Sequence, residues 1–202
     1  IEKDEKLANL LKNKFSGNLD IINEDILKFS KKNLLNNESI IFGNLPYNIS
    51  SQILVKIIKF RKWPPKFSDL IFMFQKELGE KILSKYPSSN YGRLSILTNY
   101  RLNLIKDFQV SRNCFFPRPK VTSQVIHFQP KKNEMFKIKN LNNLEKVTNI
   151  LFSNKRKMIN KTIKKILNEQ DIKSISELKL NSRPSEIRPE TYYRITELFE
   201  KK

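Results

Sequence analysis

The chain has 202 residues with 39 Lys plus Arg against 20 Asp plus Glu, a formal charge of +19, one Cys and one His. That excess is beyond what solubility needs and predicts a polyanionic partner, nucleic acid before an anionic membrane, although an AT-rich genome also raises Lys, Asn and Ile. Single Cys114 and His127 rule out a Cys/His zinc site and an intrachain disulfide, and no apolar run nears the roughly 20 residues that span a bilayer, so the reading is a soluble, cytoplasmic protein without metal.

In chain order, Leu7, Leu10, Leu11 and Phe15 share one helical face, and LDII over 19–22 reads as a short strand. SIIF over 39–42 is a continuous apolar run and predicts a parallel strand covered on both faces; Ile53, Ile57 and Phe60 then predict a helix over 50–60. LIFMF over 70–74 adds a strand, giving βαβ order. Two alternating runs follow, LNLIKDFQV (102–110) and VTSQVIHFQ (121–129), and predict an antiparallel pair closing the sheet. The prolines of NCFFPRPK keep their connection extended. His127 alternates with Val125 as a sheet residue, and Cys114 reads as a small buried filler.

Beyond Pro130 a Lys/Asn-rich linker leads into helical periodicity, so the expected division is an α/β unit over 1–130 and a small helical domain over 131–202. The second part holds 18 basic and 9 acidic residues. Its richest segment, KRKMINKTIKK (155–165), sets Lys157, Lys161 and Lys164 on one helical face and Ile159, Ile163 and Ile166 on another. Phosphate contact and an ordinary solvated face both remain open for these cations.

The stretch FGNLPYNISS (42–51) lies where the strand over 39–42 passes into the next helix, beyond the strand's carboxyl end, where open α/β sheets bind ligands. Leu45 and Pro46 hold the backbone extended and leave carbonyls as fixed acceptors, Asn44 adds an amide, and Tyr47 a flat ring. Two acceptors and one stacking surface suit an aromatic amine, adenine above all. Its exocyclic nitrogen is a poor nucleophile, and acceptors out of the ring plane localise its lone pair for attack on a methyl sulfonium. A strand-capping turn is the plainer use of the same residues.

The runs NLPYNISSQIL, QKELGEKILSKYPSSNYGRLSILTNY and FFPRPKVTSQVIHFQP resemble the ribosomal RNA adenine N6,N6-dimethyltransferases, and within them the small-subunit (16S) branch, the kasugamycin-resistance methyltransferases. The resemblance runs from Ile1 to the C-terminal helices. It implies an α/β, Rossmann-like S-adenosyl-L-methionine-dependent methyltransferase sheet with a small C-terminal helical domain that binds RNA. It implies a monomeric enzyme that dimethylates N6 of two adjacent adenosines in the 3′-terminal hairpin of small-subunit rRNA, on the immature small ribosomal subunit. Asn44, Leu45, Pro46 and Tyr47 then receive the target adenine, and Phe115, before Phe116, completes the stacking. Glu2 holds the cofactor ribose, Asp25 its adenine amine, and Asn44 lies near its methionine end. Tyr91, Gly92 and Arg93 stand beside the site, with Arg93 acting on structure or RNA. Lys120, Lys155, Arg156, Lys157, Lys161 and the segment RPSEIRPE from 183 meet RNA phosphates. The family's Gly-rich first loop should precede Ile1; Gly17, Gly43, Gly79 and Gly92 cannot form it, so the N-terminal βα unit is expected to be missing from this sequence. A non-catalytic ribosome-assembly factor and an erythromycin-resistance type of methylase stay open as rivals.

Overall fold

The computed structural model describes residues 1–29, 39–132 and 135–201. Among these, β-branched and aromatic runs build a four-stranded sheet in the order β1–β2–β4–β3. The strands are β1 (Ser39–Asn44), β2 (Phe67–Gln75), β3 (Leu102–Val110) and β4 (Ser123–Pro130). β1 lies parallel to β2, and β4 runs antiparallel to both β2 and β3, so the expected closing pair is present. The helices are α1 (Glu5–Lys14), α2 (Ser50–Ile58), α3 (Lys76–Leu83), α4 (Arg93–Arg101), α5 (Leu141–Phe152), α6 (Asn160–Ile163), α7 (Glu169–Lys173) and α8 (Pro189–Phe199).

Three expectations about elements change. LDII is not a strand: its neighbour Asn23 makes one parallel bridge with Glu2, closed by Glu2 N–H to Ile22 O and Glu24 N–H to Glu2 O, both 3.0 Å. Within the described residues the run 19–22 itself makes no ladder. SIIF is not covered on both faces: among the described residues β1 has β2 as its hydrogen-bonded neighbour, and its residues alternate in burial, with Ile40 51% and Phe42 70% exposed. In α1, Ala8 is buried whereas Leu7 and Leu10 of the predicted stripe are exposed. That helix is set instead by Asp4, whose carboxylate accepts from Leu7 N–H at 2.9 Å, with Glu5 in the first turn and Lys12 and Lys14 in the last.

The core is centred on α4, buried at Ser95, Ile96, Leu97, Thr98, Tyr100 and Arg101 and packed against α2, α3, α5 and α8. The buried hydrophobic cluster therefore continues across residue 130, from Ile53 to Leu198. Tyr193 Oη donates to Ile96 O at 3.0 Å and Tyr100 Oη to Phe136 O at 2.7 Å, so both phenols are satisfied as they pack edge to face. Arg101 closes the carboxyl end of α2: Nη1 donates to Ile58 O at 2.6 Å and Phe60 O at 2.7 Å, and the guanidinium lies 4.6 Å from the Trp63 ring centroid. The carboxyl end of α2 is thus fixed, which matters because its amino end carries NLPY.

His127 is the sheet residue expected of it. It pairs with Ile71 in the ladder, and its Nε2 lies 2.6 Å from Asp69 Oδ1. Hydrogen bonds from Ser68, then His127 and Gln129, hold the Asp69 carboxyl down to about 2.

Candidate active site

β1 ends at Asn44, opposite Met73 of β2, and Leu45–Pro46 cannot prolong the ladder. The chain turns at once into α2, using the next two carbonyls: Pro46 O accepts from Ile49 N–H at 3.1 Å and Tyr47 O from Ser50 Oγ at 3.0 Å. Of the carbonyls expected to stay open, then, that of Pro46 is committed. No hydrogen bond from a described residue reaches Leu45 O or the exposed Asn44 side chain, so both stand as acceptors that the loop presents.

Tyr47 is held by its hydroxyl, 2.8 Å from Ser123 Oγ. Ser123 is fully buried and is the rung at which β4 meets both Gln75 of β2 and Val110 of β3. The ring is therefore fixed to the joint of three strands. The connection carrying Phe115 leaves the sheet at Val110 and returns at Ser123, which brings it to the same end of the sheet as NLPY. Phe115 is half-buried behind the short 3-10 turn Arg112–Cys114, whereas Phe116 is fully exposed. Cys114 in that turn is exposed and not the buried filler expected, because a three-residue turn between extended segments has no interior to put it in.

A hollow of about 410 Å³ opens beside the loop and gathers Glu2 and Asp25 with Asn44, Leu45 and Pro46. Glu2 and Asp25 meet because the bridge of Glu2 with Asn23 sets their segments side by side. Glu2 Oε1 accepts from Asp4 N–H at 2.8 Å. The Asp25 carboxyl lies below its usual range, first because Leu27 N–H donates to Oδ1 at 2.9 Å and next because Lys3 pairs with Oδ2 at 3.0 Å. Between the acids and the loop the wall is apolar, from Ile26, Ile41, Phe42 and Phe72. Gly43 keeps this wall open: a Cβ there would come within 2.5 Å of Leu45 Cδ2 and 2.8 Å of the Phe72 ring. Two carboxyl groups at one end of an apolar slot fit a nucleoside, taking hydroxyl and amine donors while the base lies against aliphatic side chains.

The remaining candidates sit elsewhere. Tyr91 and Gly92 are architectural. Tyr91 is buried, and burial pushes its phenol well up; Gly92 caps α4, its N–H donating to Ser95 Oγ at 3.1 Å while that hydroxyl donates to Gly92 O at 2.8 Å. Arg93 is exposed on a separate hollow of about 750 Å³ with Lys56, Lys59 and Glu145, whose lining reaches Ser51 and Gln52 of α2 but includes none of Asn44–Tyr47. Lys120 is exposed in the Phe115 connection.

The segment 155–165 is not one helix. α5 stops at Phe152, the chain turns, and α6 is a single turn, because Ile159 N–H is drawn to Ser182 O at 3.0 Å, out of a continuous helical ladder. Ile159, Ile163 and Ile166 are still buried. The break redistributes the cations. Arg156, Lys157 and Lys161 join Lys165 and Arg183 around a hollow of about 660 Å³ whose lining contains no acid. Lys155 turns instead to Ser89 O at 3.2 Å, and Lys164 to Glu169 at 3.7 Å. Lys165 was not singled out by sequence, since the helical wheel that would place it does not apply.

A parallel strand ending on Asn-Leu-Pro-Tyr, an antiparallel closing pair and an acid-walled slot at the strand ends define a methyltransferase of the Rossmann-like class. The chain belongs to the ribosomal RNA adenine dimethylase family, whose family model matches residues 1–201. It is 42% identical over 201 residues to the Ribosomal RNA small subunit methyltransferase A of Pelagibacter ubique, covering 99% of this chain and 76% of that protein. Against the protein of the same name from Rhizobium etli it is 39% identical over 151 residues, 74% of this chain and 54% of that one, so it spans little more than half of that relative. Among solved structures it is similar in fold to a dimethyladenosine transferase from Plasmodium falciparum, with TM-score 0.74, 22% identity and coverage of 98% of this chain and 80% of that one. The 23S rRNA methyltransferase ErmE superposes with TM-score 0.67 at 21% identity, with the same coverage of 98% and 80%.

Proposed function

We propose that this chain dimethylates N6 of two adjacent adenosines in the 3′-terminal hairpin of small-subunit rRNA, using S-adenosylmethionine, on an immature small subunit. The observation that carries the reading is the pair of uncommitted acceptors, Leu45 O and the Asn44 side chain, beside a ring fixed by Ser123. Bound in the slot, S-adenosylmethionine supplies an electrophilic methyl group. Glu2 accepts from the ribose hydroxyls and Asp25 from the adenine amine of that cofactor. A target adenine flipped out of its stack lies on Tyr47, with Phe115 on its other side, and presents two N6 hydrogens to Asn44 and Leu45 O. Acceptors held out of the ring plane favour a pyramidal nitrogen and stabilise the positive charge that develops there. Each transfer would break the S–C bond of the sulfonium, leave a neutral thioether and form the N6–C bond, N6 then releasing one proton to solvent; after two transfers both acceptors have lost their donors and the product is held less well than the substrate.

The helical segment over 131–202 is the RNA-binding part of this reading. Arg156, Lys157, Lys161, Lys165 and Arg183 face a common hollow without a competing carboxylate, the setting in which backbone phosphates replace counterions. Lys120, Lys155 and Arg93 lie outside that cluster as secondary contacts. The test incubates the full-length protein, with its Gly-rich first loop, with labelled S-adenosylmethionine and immature small subunits and maps the modified base. Two neighbouring N6,N6-dimethyladenosines are expected. Label in large-subunit RNA would transfer the chain to the erythromycin-resistance type, and RNA binding without label would make it an assembly factor.

A further inference from the structure

α2 begins at Ser50, directly after NLPY, where Ser50 Oγ donates to Tyr47 O at 3.0 Å. In its last turn, half-buried Lys56 reaches across to the segment that carries Asp25. Its Nζ donates to Ile26 O at 3.0 Å, Leu27 O at 2.6 Å and Phe29 O at 2.7 Å. An ammonium has three N–H groups, and all three are used on one turn of backbone. The same turn is closed from its other end by Asp25, whose Oδ1 accepts from Leu27 N–H and whose carbonyl accepts from Lys28 N–H at 2.8 Å and Phe29 N–H at 2.9 Å. Ile26, between the two closures, lines the acid-walled hollow. Three carbonyls converging on one point make a compact negative site that a point charge with three tetrahedral donors fills and a planar guanidinium does not.

We propose that Lys56 is a positioning residue for the cofactor pocket, fixing the Asp25 turn to α2 so that the cofactor wall and the target-base loop hang from the two ends of one helix. The proposal rests on reading the hollow as the cofactor site. It also explains why a cation in the last turn of α2 points away from the end of its own helix, where Arg101 already holds Ile58 O.

The test measures S-adenosylhomocysteine binding by calorimetry on the protein carrying the Gly-rich first loop, for the wild type, Lys56→Met, Lys56→Arg, Asp25→Ala and the double variant Asp25→Ala with Lys56→Met. Lys56→Met should weaken binding about tenfold, the scale expected when charge-assisted hydrogen bonds are removed, with RNA affinity unchanged. Lys56→Arg should restore only part, and its retained charge keeps the test open if Lys56→Met does not fold. In methyl transfer the cofactor KM should rise while kcat at saturating cofactor holds. In the Asp25→Ala background Lys56→Met should cost less than in the wild type, because the carboxylate it positions is gone. Amide exchange should quicken at Leu27, Lys28 and Phe29 and not in α2. Fully additive losses, or Lys56→Met binding as tightly as wild type while Asp25→Ala binds weakly, would overturn the role of Lys56. If Asp25→Ala itself leaves affinity unchanged, the reading of the hollow fails, and the proposal with it.

Discussion

The NLPY end of the sheet and the cationic hollow beyond α5 are built by opposite means. At NLPY each polar atom is either committed, as with Pro46 O, Tyr47 O and the Tyr47 hydroxyl, or left as an acceptor by geometry, as with Leu45 O and Asn44. Around the hollow, Arg156, Lys157, Lys161, Lys165 and Arg183 are side chains on turns and a one-turn helix. The difference teaches where each property resides: chemistry needs atoms fixed to fractions of an ångström, whereas phosphate affinity needs charge density and tolerates motion. Changes at the first region should therefore alter turnover and leave RNA binding alone, and changes at the second should do the reverse.

The largest effect is expected from Asn44→Ala, which removes one of the two acceptors. Turnover should fall about 10²–10³-fold, the scale of losing one preorganised electrostatic partner, with RNA affinity and its salt slope unchanged. A parallel loss of RNA affinity would break the separation. On the other side, replacing Arg156, Lys157, Lys161 and Lys165 by Gln should flatten the dependence of log K on log salt by roughly 0.7–0.9 for each phosphate no longer neutralised, about three in all. Methylation of a short substrate at saturating concentration should survive. An unchanged slope in a filter-binding titration would return these cations to the solvated surface.

A smaller effect tests how Tyr47 is held. Tyr47→Phe and Ser123→Ala remove the same hydrogen bond from its two ends, so each should lower turnover by about tenfold and the double variant should do little more than either alone. Additive losses would mean that the two residues act separately.

The parts of this structure legible in sequence are those set by local pattern. The helix over 50–60, the strands over 70–74, 102–110 and 121–129, and the place of NLPY beyond a strand end all follow from apolar period and from proline. The exposed face of β1 was not legible, because a continuous apolar run such as SIIF carries no alternation that would tell one covered face from two. Nor were Ser123, Lys56 and Lys165. Ser123 meets Tyr47 across 76 residues of sequence and Lys56 meets Leu27 across 29, so neither pairing leaves a local signal. Lys165 became a neighbour of Arg183 only because Ile159 leaves the helical ladder for Ser182, a tertiary hydrogen bond overriding helical period. The Asn44 and Tyr47 side chains were legible as a pair, but which carbonyl stays open depends on how α2 begins.

Lys155 gives the finest test of the comparison, because it belongs to the basic run in sequence and not to the hollow in space. Its ammonium is 3.2 Å from Ser89 O, on the loop before α4, while Arg156 and Lys157 turn toward Lys161 and Lys165. If RNA affinity followed charge along the chain, Lys155→Gln and Lys157→Gln would flatten the salt slope equally. If it follows the hollow, Lys157→Gln should lower the slope by roughly 0.7–0.9, the share of a single phosphate, and Lys155→Gln by much less. Lys155→Gln should instead show in the loop before α4, with faster amide exchange around Ser89 and stability changed by less than about 1 kcal/mol, since the hydrogen bond it gives up is exposed. Equal slopes for the two variants, measured over the same salt range, would show that the cations act as a diffuse field and that the hollow confers no selectivity among them.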